Sequence, residues 1–418
     1  MTKIYIFLLV CLCTSLTLSA LQTSISGKVI AKDDNLPIAY ANIIYKHKNT
    51  GTFSDEDGYF SLNINQAAQT DLIIISHIGY ETLNISLKEA LSKKVFVLQR
   101  TQLEQVVLSA KSNFNLNSFI KEVVKTYNKG RKKDPHIAVA YYNESAKIKE
   151  DYIMYMESIG YSIFSGKMAN AAKYSNYKFF SDNSRFYITN PEWTFYNDHE
   201  DRAVRPSASA NLRALRVLEY QGILSSKNYK KHKFKQDSTF YDFRDNLIRR
   251  ISFKGNGDKG FIDVKASNFE ILEINYSTNK FFSTIKNKEL QADVRMRFNY
   301  YEGSPYLNMV SGSYNYNNLR HEIYLKILTQ KFKEFNFSKE EYWAINDYNI
   351  NPFVRFNSKI WNSFNIDSSK VLSVSKNLEA RGVDLIEEFK TYQNRWFLSE
   401  GDPKNFSVEM IEGLRRNF

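Results

Sequence analysis

Polar and apolar positions alternate through much of this 418-residue chain, and turn residues interrupt the alternation at short intervals. Between Ser26 and Leu98 the β-type runs are broken roughly every ten positions, the rhythm of a small antiparallel sandwich. Asp57-Gly58 follows Ser54-Asp55-Glu56 and precedes Tyr59-Phe60. Asp and Gly tolerate the backbone of a hairpin turn, and the aromatic pair restarts a strand facing the core. Ile73, Ile74 and Ile75 form a continuous apolar run, as expected for a strand covered on both faces. Gly79-Tyr80 ends that run, and Leu36-Pro37 closes a turn before alternation resumes from Ile38 to Tyr45.

Beyond the sandwich, Leu103 to Ala110 reads as an exit segment and Lys111 to Asn117 as a polar linker. A helix is predicted from Ser118 to Asn128: Phe119, Val123, Val124 and Tyr127 share one face, Ser118 can cap the start, and Gly130 and Pro135 stop it. Ile137 to Lys149 and Tyr152 to Phe164 alternate as strands, and Ser209 to Tyr220 has a helical apolar face of Leu212, Leu215, Val217 and Leu218. Long strand-like runs dominate from Asp237 onward: Ser238–Lys254, Gly260–Ser277, Ala292–Tyr301, Pro305–Asn317 and His321–Phe335, with a hairpin turn at Glu302-Gly303-Ser304-Pro305. Val294, Met296, Phe298 and Tyr300 alternate with Arg295, Arg297 and Asn299, which predicts one apolar face and one wet face. The expectation for residues 111–418 is a basic α+β domain built on a curved antiparallel sheet, with its sheet core at 236–337 and a few helices. The apolar face of such a sheet must be covered by helices or by a ligand.

The motifs GKV, LPIAYANI, GTFSDEDGYFSL and SHIGYE occur in that order. They resemble the carboxypeptidase-regulatory-like domain of Bacteroidota envelope proteins. The resemblance implies a seven-stranded transthyretin-like β-sandwich over residues 21–110, hence a chain that is mainly β, α+β overall. Members of that family often precede TonB-dependent outer-membrane barrels, and the family name does not imply peptidase activity. Residues 119–164, 260–276 and 342–350 are similar to the segments that follow the sandwich in a Bacteroidota envelope group of uncharacterised function. In that group a helix leads to a tyrosine-containing strand and then to a strand with a central Glu, here Glu157. The group's tyrosine-arginine-glutamate signature stands here as Tyr142-Asn143-Glu144.

Charge and the chain start change the picture in one respect, the compartment. Residues 1–20 read as a secretory signal peptide, with Lys3 as the basic region, Ile4 to Leu12 as the apolar stretch, and Ser19 and Ala20 as small cleavage-site residues. Cys11 and Cys13 are preceded by Val10 and Leu12 rather than by a small residue, which favours ordinary over lipoprotein cleavage. The processed chain would then hold no cysteine, and disulfides, thiolate metal sites and cysteine nucleophiles drop out. The formal net charge is +12, yet residues 21–110 carry eight basic and nine acidic side chains, so the surplus lies after Lys111. It includes Lys129-Gly130-Arg131-Lys132-Lys133 and the run from Lys227 to Lys235. The expected partners are an outer-membrane protein or an anionic envelope component such as lipid head groups, acidic glycans or an acidic protein. Nucleic acid conflicts with export, and no transmembrane helix is expected after signal cleavage. A solvated basic face that binds nothing specific is the alternative.

Catalytic patterns are scarce. His47, His77, His136, His199, His232 and His321 make neither HExxH nor HxxE, so a zinc peptidase is excluded and no metal is assigned. Gly255-Asn256-Gly257-Asp258-Lys259-Gly260 matches GxGxxG, but Phe261 to Val264 continues as a strand where a dinucleotide site needs a helix, so this is a hairpin loop and no cofactor is expected. Asp33-Asp34, Asp55 and Asp57 are explained by turns rather than calcium. The sharpest binding candidate is an anion clamp of Arg202, Arg205, Arg213 and Arg216, set against the alternative of separate salt bridges with Glu200, Asp201 and Glu219. No catalytic residue is assigned. The expected function is therefore a non-enzymatic exported envelope protein with an interaction or scaffold role in the periplasm or at the outer membrane. A soluble carrier holding a lipid or other apolar ligand on the curved sheet is the alternative, and a carboxylate-dependent hydrolase a third possibility.

Overall fold

The structure is a computed structural model. It describes residues 22–38, 41–47, 50–54, 57–65, 68–77, 80–131 except 101–113, 136–164, 177–189, 218–242 except 220, 246–279 and 291–328 except 317–318, together with 333–334, 356–364, 366 and 369–396. The chain divides into two compact units, Met1–Glu104 with Asn365–Lys370, and Gln105–Phe364 with Val371–Phe418. The signal-peptide expectation falls outside the described residues, as do Asp55 and most of the helix expected from Ser209 to Tyr220.

In the first unit seven strands form two sheets. β1 (Gln22–Ala31) lies between β4 (Tyr59–Asn65) and β7 (Val95–Leu98). In the other sheet β2 (Asn42–Tyr45) lies between β3 (Thr50–Phe53) and β5 (Leu72–Ser76), with β6 (Leu83–Ser86) at the end. The expected seven-stranded sandwich is thus present, its core made by Ile25, Val29, Ile43, Phe60, Ile73 and Ile75. Alternation explains β1, where Ile25, Val29 and Ala31 point inward while Ser26 is exposed. Ser54 ties the strand entries together: its hydroxyl donates to the Ile38 carbonyl at 2.7 Å and accepts from the Ala41 amide at 2.8 Å. At Gly27 a Cβ would lie 2.5 Å from the Phe96 ring, so the glycine makes room for that ring in the core. A short helix, α1 (Leu87–Ser92), is capped by Ser86.

The second unit opens with α2 (Leu116–Gly130), which extends the expected Ser118–Asn128 at both ends. The cap is Asn115, whose side chain accepts from the Ser118 amide at 3.0 Å, so Ser118 lies inside the first turn. Ten strands then pair in one antiparallel sheet. They are β8 (His136–Ile148), β9 (Asp151–Phe164), β10 (Tyr177–Ile188), β11 (Lys233–Tyr241), β12 (Leu247–Gly255), β13 (Asp258–Lys265), β14 (Ile271–Thr278), β15 (Gln291–Tyr301), β16 (Ser304–Tyr316) and β17 (Leu319–Ile327). Their order is β10-β9-β8-β17-β16-β15-β14-β13-β12-β11, and the two-residue β18 (Lys333–Glu334) adds to β8.

The sheet is larger than the 236–337 core expected from the pattern, because β17 pairs with β8 across almost two hundred residues of sequence, Ile323 opposite Glu144. Alternation reveals a strand but not its distant neighbour. The run from Ser238 to Lys254 is two strands, not one. Asp242 turns the chain there by accepting from the Asn246 amide and side chain at 3.0 and 3.1 Å. The hairpin turns at Asn256-Gly257 and Glu302-Gly303 have positive φ at both positions, the backbone that matches strand twist in a two-residue loop. The GxGxxG segment is a hairpin loop, as its flanking strand predicts.

Among the described residues, α2 packs on the inner face of this sheet. Phe119, Ile120, Val123, Val124 and Tyr127 of α2 share a core with Tyr177 and Phe179 of β10 at one end of the strand order and Ile251 and Phe253 of β12 near the other. Strands from both ends meet one helix only if the sheet curves around it. The C-terminus of α2 sits against the β15–β16 turn, where a Cβ on Gly130 would approach the Gly303 carbonyl oxygen to 2.4 Å. On the outer face, α4 (Ser369–Glu379) and α5 (Leu385–Trp396) place Val374, Leu378, Leu385 and Phe389 against Ile153, Tyr155 and Tyr187.

A buried polar pin fixes α2. Tyr127 donates to Glu219 Oε1 at 2.9 Å, and Arg131 Nη1 lies 3.3 Å from Glu219 Oε2. Burial lifts the Glu219 carboxyl to about 7, against the opposing pull of Arg131 and of the Tyr127 hydroxyl. A raised folded-state value means that protonation favours folding. The contribution is present in full below the ordinary value of 4.5 and is lost as pH rises through about 7. Across that window the parent should lose about 3 kcal/mol relative to Glu219→Gln, whose amide does not titrate. Urea denaturation at several pH values, read by tryptophan fluorescence, checks this, since all four tryptophans lie after residue 104; parallel curves for the two proteins would contradict it.

Candidate functional site

Arg202, Arg205, Arg213 and Arg216 lie outside the described residues, and so do Glu200 and Asp201 of the alternative pairing. Glu219 is described, and its partners are Tyr127 and Arg131. The described polar chemistry lies on the sheet instead, in two places.

Of Arg295, Arg297 and Asn299, expected on a wet face, Arg297 is buried and the other two are half-buried, and the carboxylates beside them on the outer face are buried as well. Asp263, Glu273 and Arg297 are 2, 4 and 8% exposed. Their positions follow from register: Arg250 pairs with Asp263, Asp263 with Glu273, and Glu273 with Arg297, on four successive strands β12 to β15. Arg250 grips Asp263 with two bonds of 2.8 and 2.7 Å. Arg295 does the same to Glu273 at 2.7 and 3.0 Å, and Arg297 adds a third bond at 2.9 Å. The Arg250 guanidinium also lies 3.9 Å from the Phe261 ring centre. Burial disfavours ionisation of Glu273, but the guanidiniums of Arg297 and Arg295 outweigh it and hold the carboxyl down to about 2. Asp263 goes the other way: burial, with the Glu273 charge opposite, lifts it to about 6 against Arg250.

The same face continues to β10. Arg295, Ser311, Tyr324, Asn143, Glu157 and Arg185 are successive register partners on β15, β16, β17, β8, β9 and β10. Glu157 accepts from the hydroxyls of Tyr141 and Tyr155, each at 3.0 Å, and from Arg185. Burial, then the Glu157 charge, pushes both tyrosines well above their ordinary range, so they remain neutral donors. The rings of Phe356, Trp361 and Phe389 stand 5.1, 5.1 and 5.0 Å from the Arg185 guanidinium. Trp361 belongs to α3 (Ser358–Ser363) and Phe389 to α5. This Arg185–Glu157 pair therefore seats the outer helices on the sheet.

The inner face holds the second place. Alternation splits Tyr142-Asn143-Glu144: Asn143 faces out beside Tyr141, while Tyr142 and Glu144 face in. Tyr142 donates to Glu144 Oε2 at 2.7 Å, and His321 Nε2 lies 2.5 Å from Glu144 Oε1, off the hydrogen-bonding direction. Further along the face, His232 Nε2 lies 3.2 Å from Asp258 Oδ2, and Thr278 donates to Asp258 Oδ1 at 2.7 Å. Nearby on β9 and β10, Ser158, Ser181 and Ser184 hydrogen-bond one another around the bulge at Asp182. Among the described residues no group of three or more His, Cys, Asp or Glu side chains is arranged to hold a metal ion. None of the described helices is long and apolar enough to cross a membrane.

Apart from Glu157, Tyr142-Asn143-Glu144, Glu219 and the two arginines read as a wet face, none of these groups is given a role by the sequence pattern. The missing signal was positional: Asp263, Glu273 and Arg297 all occupy the polar phase of adjacent strands, and only the register shows that the phases coincide.

Residues 25–108 match the CarboxypepD_reg-like domain. This is a sandwich domain shared with TonB-dependent receptors. The TonB-dependent receptor SusC of Bacteroides thetaiotaomicron is 40% identical over 67 residues, 16% of this chain and 6% of the receptor. The TonB-dependent receptor P39 of Formosa agariphila is 32% identical over 108 residues, 24% of this chain and 10% of the receptor. The match thus spans a tenth or less of each receptor. Among solved structures, the MucB–MucA(peri) complex is 4% identical over 50% of this chain and 93% of that chain, with a TM-score of 0.15. A Bacteroides fragilis membrane-associated protein of unknown function is 10% identical over 73% and 95%, with a TM-score of 0.14. Neither score is high enough to bear on the fold.

Replacing Glu273 by Gln removes the carboxylate that binds buried Arg297 and half-buried Arg295. Removing one partner of such a pair costs about 3–5 kcal/mol. Urea denaturation should show that loss for Glu273→Gln, and less than about 0.5 kcal/mol for Lys121→Ala on the exposed side of α2. Equal stabilities for the two variants would show that the ladder carries no weight.

Proposed function

We propose that this chain is a non-enzymatic envelope protein, working in the periplasm or at the outer membrane, in which the sandwich is an interaction module and the sheet unit a rigid scaffold. The observation that carries the reading is the CarboxypepD_reg-like domain at residues 25–108, shared with receptors of the TonB-dependent class. Export agrees with the signal-like pattern of residues 1–20 and with a basic surplus suited to an anionic envelope partner.

The state of the buried ionisable groups supports a structural over a catalytic role. A general acid or base must be free to exchange a proton with a substrate. Glu273, Glu157 and Asp263 are each held by guanidiniums or by tyrosine hydroxyls, and these bonds join neighbouring strands. The inner apolar face favours the scaffold over the carrier in the same way, because the side chains of α2 occupy the surface that a lipid would need.

Cell fractionation of the native host followed by affinity capture of the full chain tests the reading. The chain should partition with the envelope, and a CarboxypepD_reg-like unit carrying Gly27→Val, which drives a side chain into Phe96, should lose its captured envelope partner. Recovery in the cytoplasm, or retention of the same partner by the Gly27→Val protein, would overturn it.

A further inference from the structure

One corner of the outer sheet face concentrates positive charge. Lys233 of β11, Lys254 of β12 and Lys259 of β13 are direct register partners. They form a straight row across three strands, about 10 Å from end to end at ordinary strand spacing. All three are exposed, as are Lys227, Lys230, Lys231 and Lys235 around them. Among the described residues the acidic contact in this group is Asp237, whose Oδ1 lies 3.9 Å from Lys235 Nζ; Lys233, Lys254 and Lys259 hold no ion pair.

Like charges placed directly opposite one another destabilise a sheet. Elsewhere on this face opposed like charges are neutralised: Asp263 and Glu273 are register partners, but Arg250, Arg295 and Arg297 bind them. The lysine row is also held firmly. His232, just before Lys233, and Asp258, just before Lys259, meet on the inner face at 3.2 Å, and Thr278 holds Asp258 at 2.7 Å. A Cβ on Gly255 would lie 2.4 Å from the Lys231 carbonyl oxygen, so the β12–β13 hairpin packs tightly on the turn that carries Lys230 and Lys231. Repulsion is thus built into a rigid platform, with no internal countercharge to relieve it.

We infer that this corner, centred on Lys233, Lys254 and Lys259, is a contact surface for an anionic phospholipid bilayer. Lysine is a compact hydrated charge on a flexible stem, without the planar fork that selects a single carboxylate or phosphate. The nearest aromatic and arginine on this face, Phe261 and Arg250, are stacked on each other with Arg250 bound to Asp263, so the exposed row itself presents lysines rather than the anchors that dominate protein–protein contacts. Several lysines on one open surface draw a chain to anionic lipid additively, each adding to the attraction and all weakening with salt. This contact goes beyond the scaffold role, and purified protein with synthetic vesicles tests it apart from the cellular location.

The full chain is sedimented with vesicles of phosphatidylcholine alone and of phosphatidylcholine with an equal share of phosphatidylglycerol. The parent should bind the anionic vesicles, ignore the neutral ones, and release as salt rises. The triple variant K233Q/K254Q/K259Q should bind at least about tenfold more weakly. It should also melt no lower than the parent, because the substitution removes repulsion, which separates lost binding from lost folding. A control variant with the same charge loss on other exposed lysines, K121Q/K129Q/K376Q, should keep near-parent binding. Failure of the parent to bind, equal loss in the control, or undiminished binding by the triple variant would each overturn the assignment. Release by inorganic phosphate far beyond that by chloride at equal ionic strength would replace it with a discrete phosphate site. Preference for polyglutamate over vesicles would replace it with an acidic protein partner.

Discussion

A ten-stranded antiparallel sheet exposes two large faces, and the second unit of this protein depends on α2 filling the inner one. Strands from both ends of the sheet reach the helix, so its apolar face organises the curvature rather than decorating it. Burial of Ile120, Val123 and Tyr127 supplies the non-directional part of that stabilisation. Direction comes from polar contacts: the Asn115 cap at one end, and the Tyr127–Glu219–Arg131 group at the other. Among the described residues, the chain's own helix packs on the concave side, which favours the proposed scaffold over a carrier.

The outer face solves a different problem. Buried ion pairs seldom add much stability over apolar residues of the same size, yet breaking one is expensive. A ladder in which Arg250 and Arg297 flank Asp263 and Glu273 across four strands penalises any slip in register, since a one-residue shift would turn those side chains into the apolar core. The Arg185–Glu157 pair, ringed by Phe356, Trp361 and Phe389, applies the same logic to the seating of the outer helices. Against that background of paired charge, the unpaired row at Lys233, Lys254 and Lys259 is the exception.

The sandwich was legible because its turns carry local chemistry: Gly58 and the strand restart at Tyr59-Phe60 are readable within a few residues. The hairpins at Asn256-Gly257 and Glu302-Gly303 were legible for the same reason, as was the apolar face of α2. The extent of the large sheet was not. Pairing of β17 with β8 joins segments far apart in sequence, and nothing in either strand's alternation names the other. The charged site was hidden by the same limit. Arg295 and Arg297 show as polar positions, and only their register with Glu273 reveals them as buried partners. The arginine clamp, with Arg213 and Arg216 on a helix face and Arg202 and Arg205 in the approaching loop, falls outside the described residues.

Domain likeness and internal packing favour the proposed account, an envelope interaction module joined to a sheet that packs on its own helix and is locked by paired charge. Native mass spectrometry of the full chain purified from envelope extract tests the central claim most directly. The account predicts the bare polypeptide mass, because the apolar side chains of α2 pack on the inner face. A lipid or other apolar adduct retained at one per chain would contradict it and make the sheet a container.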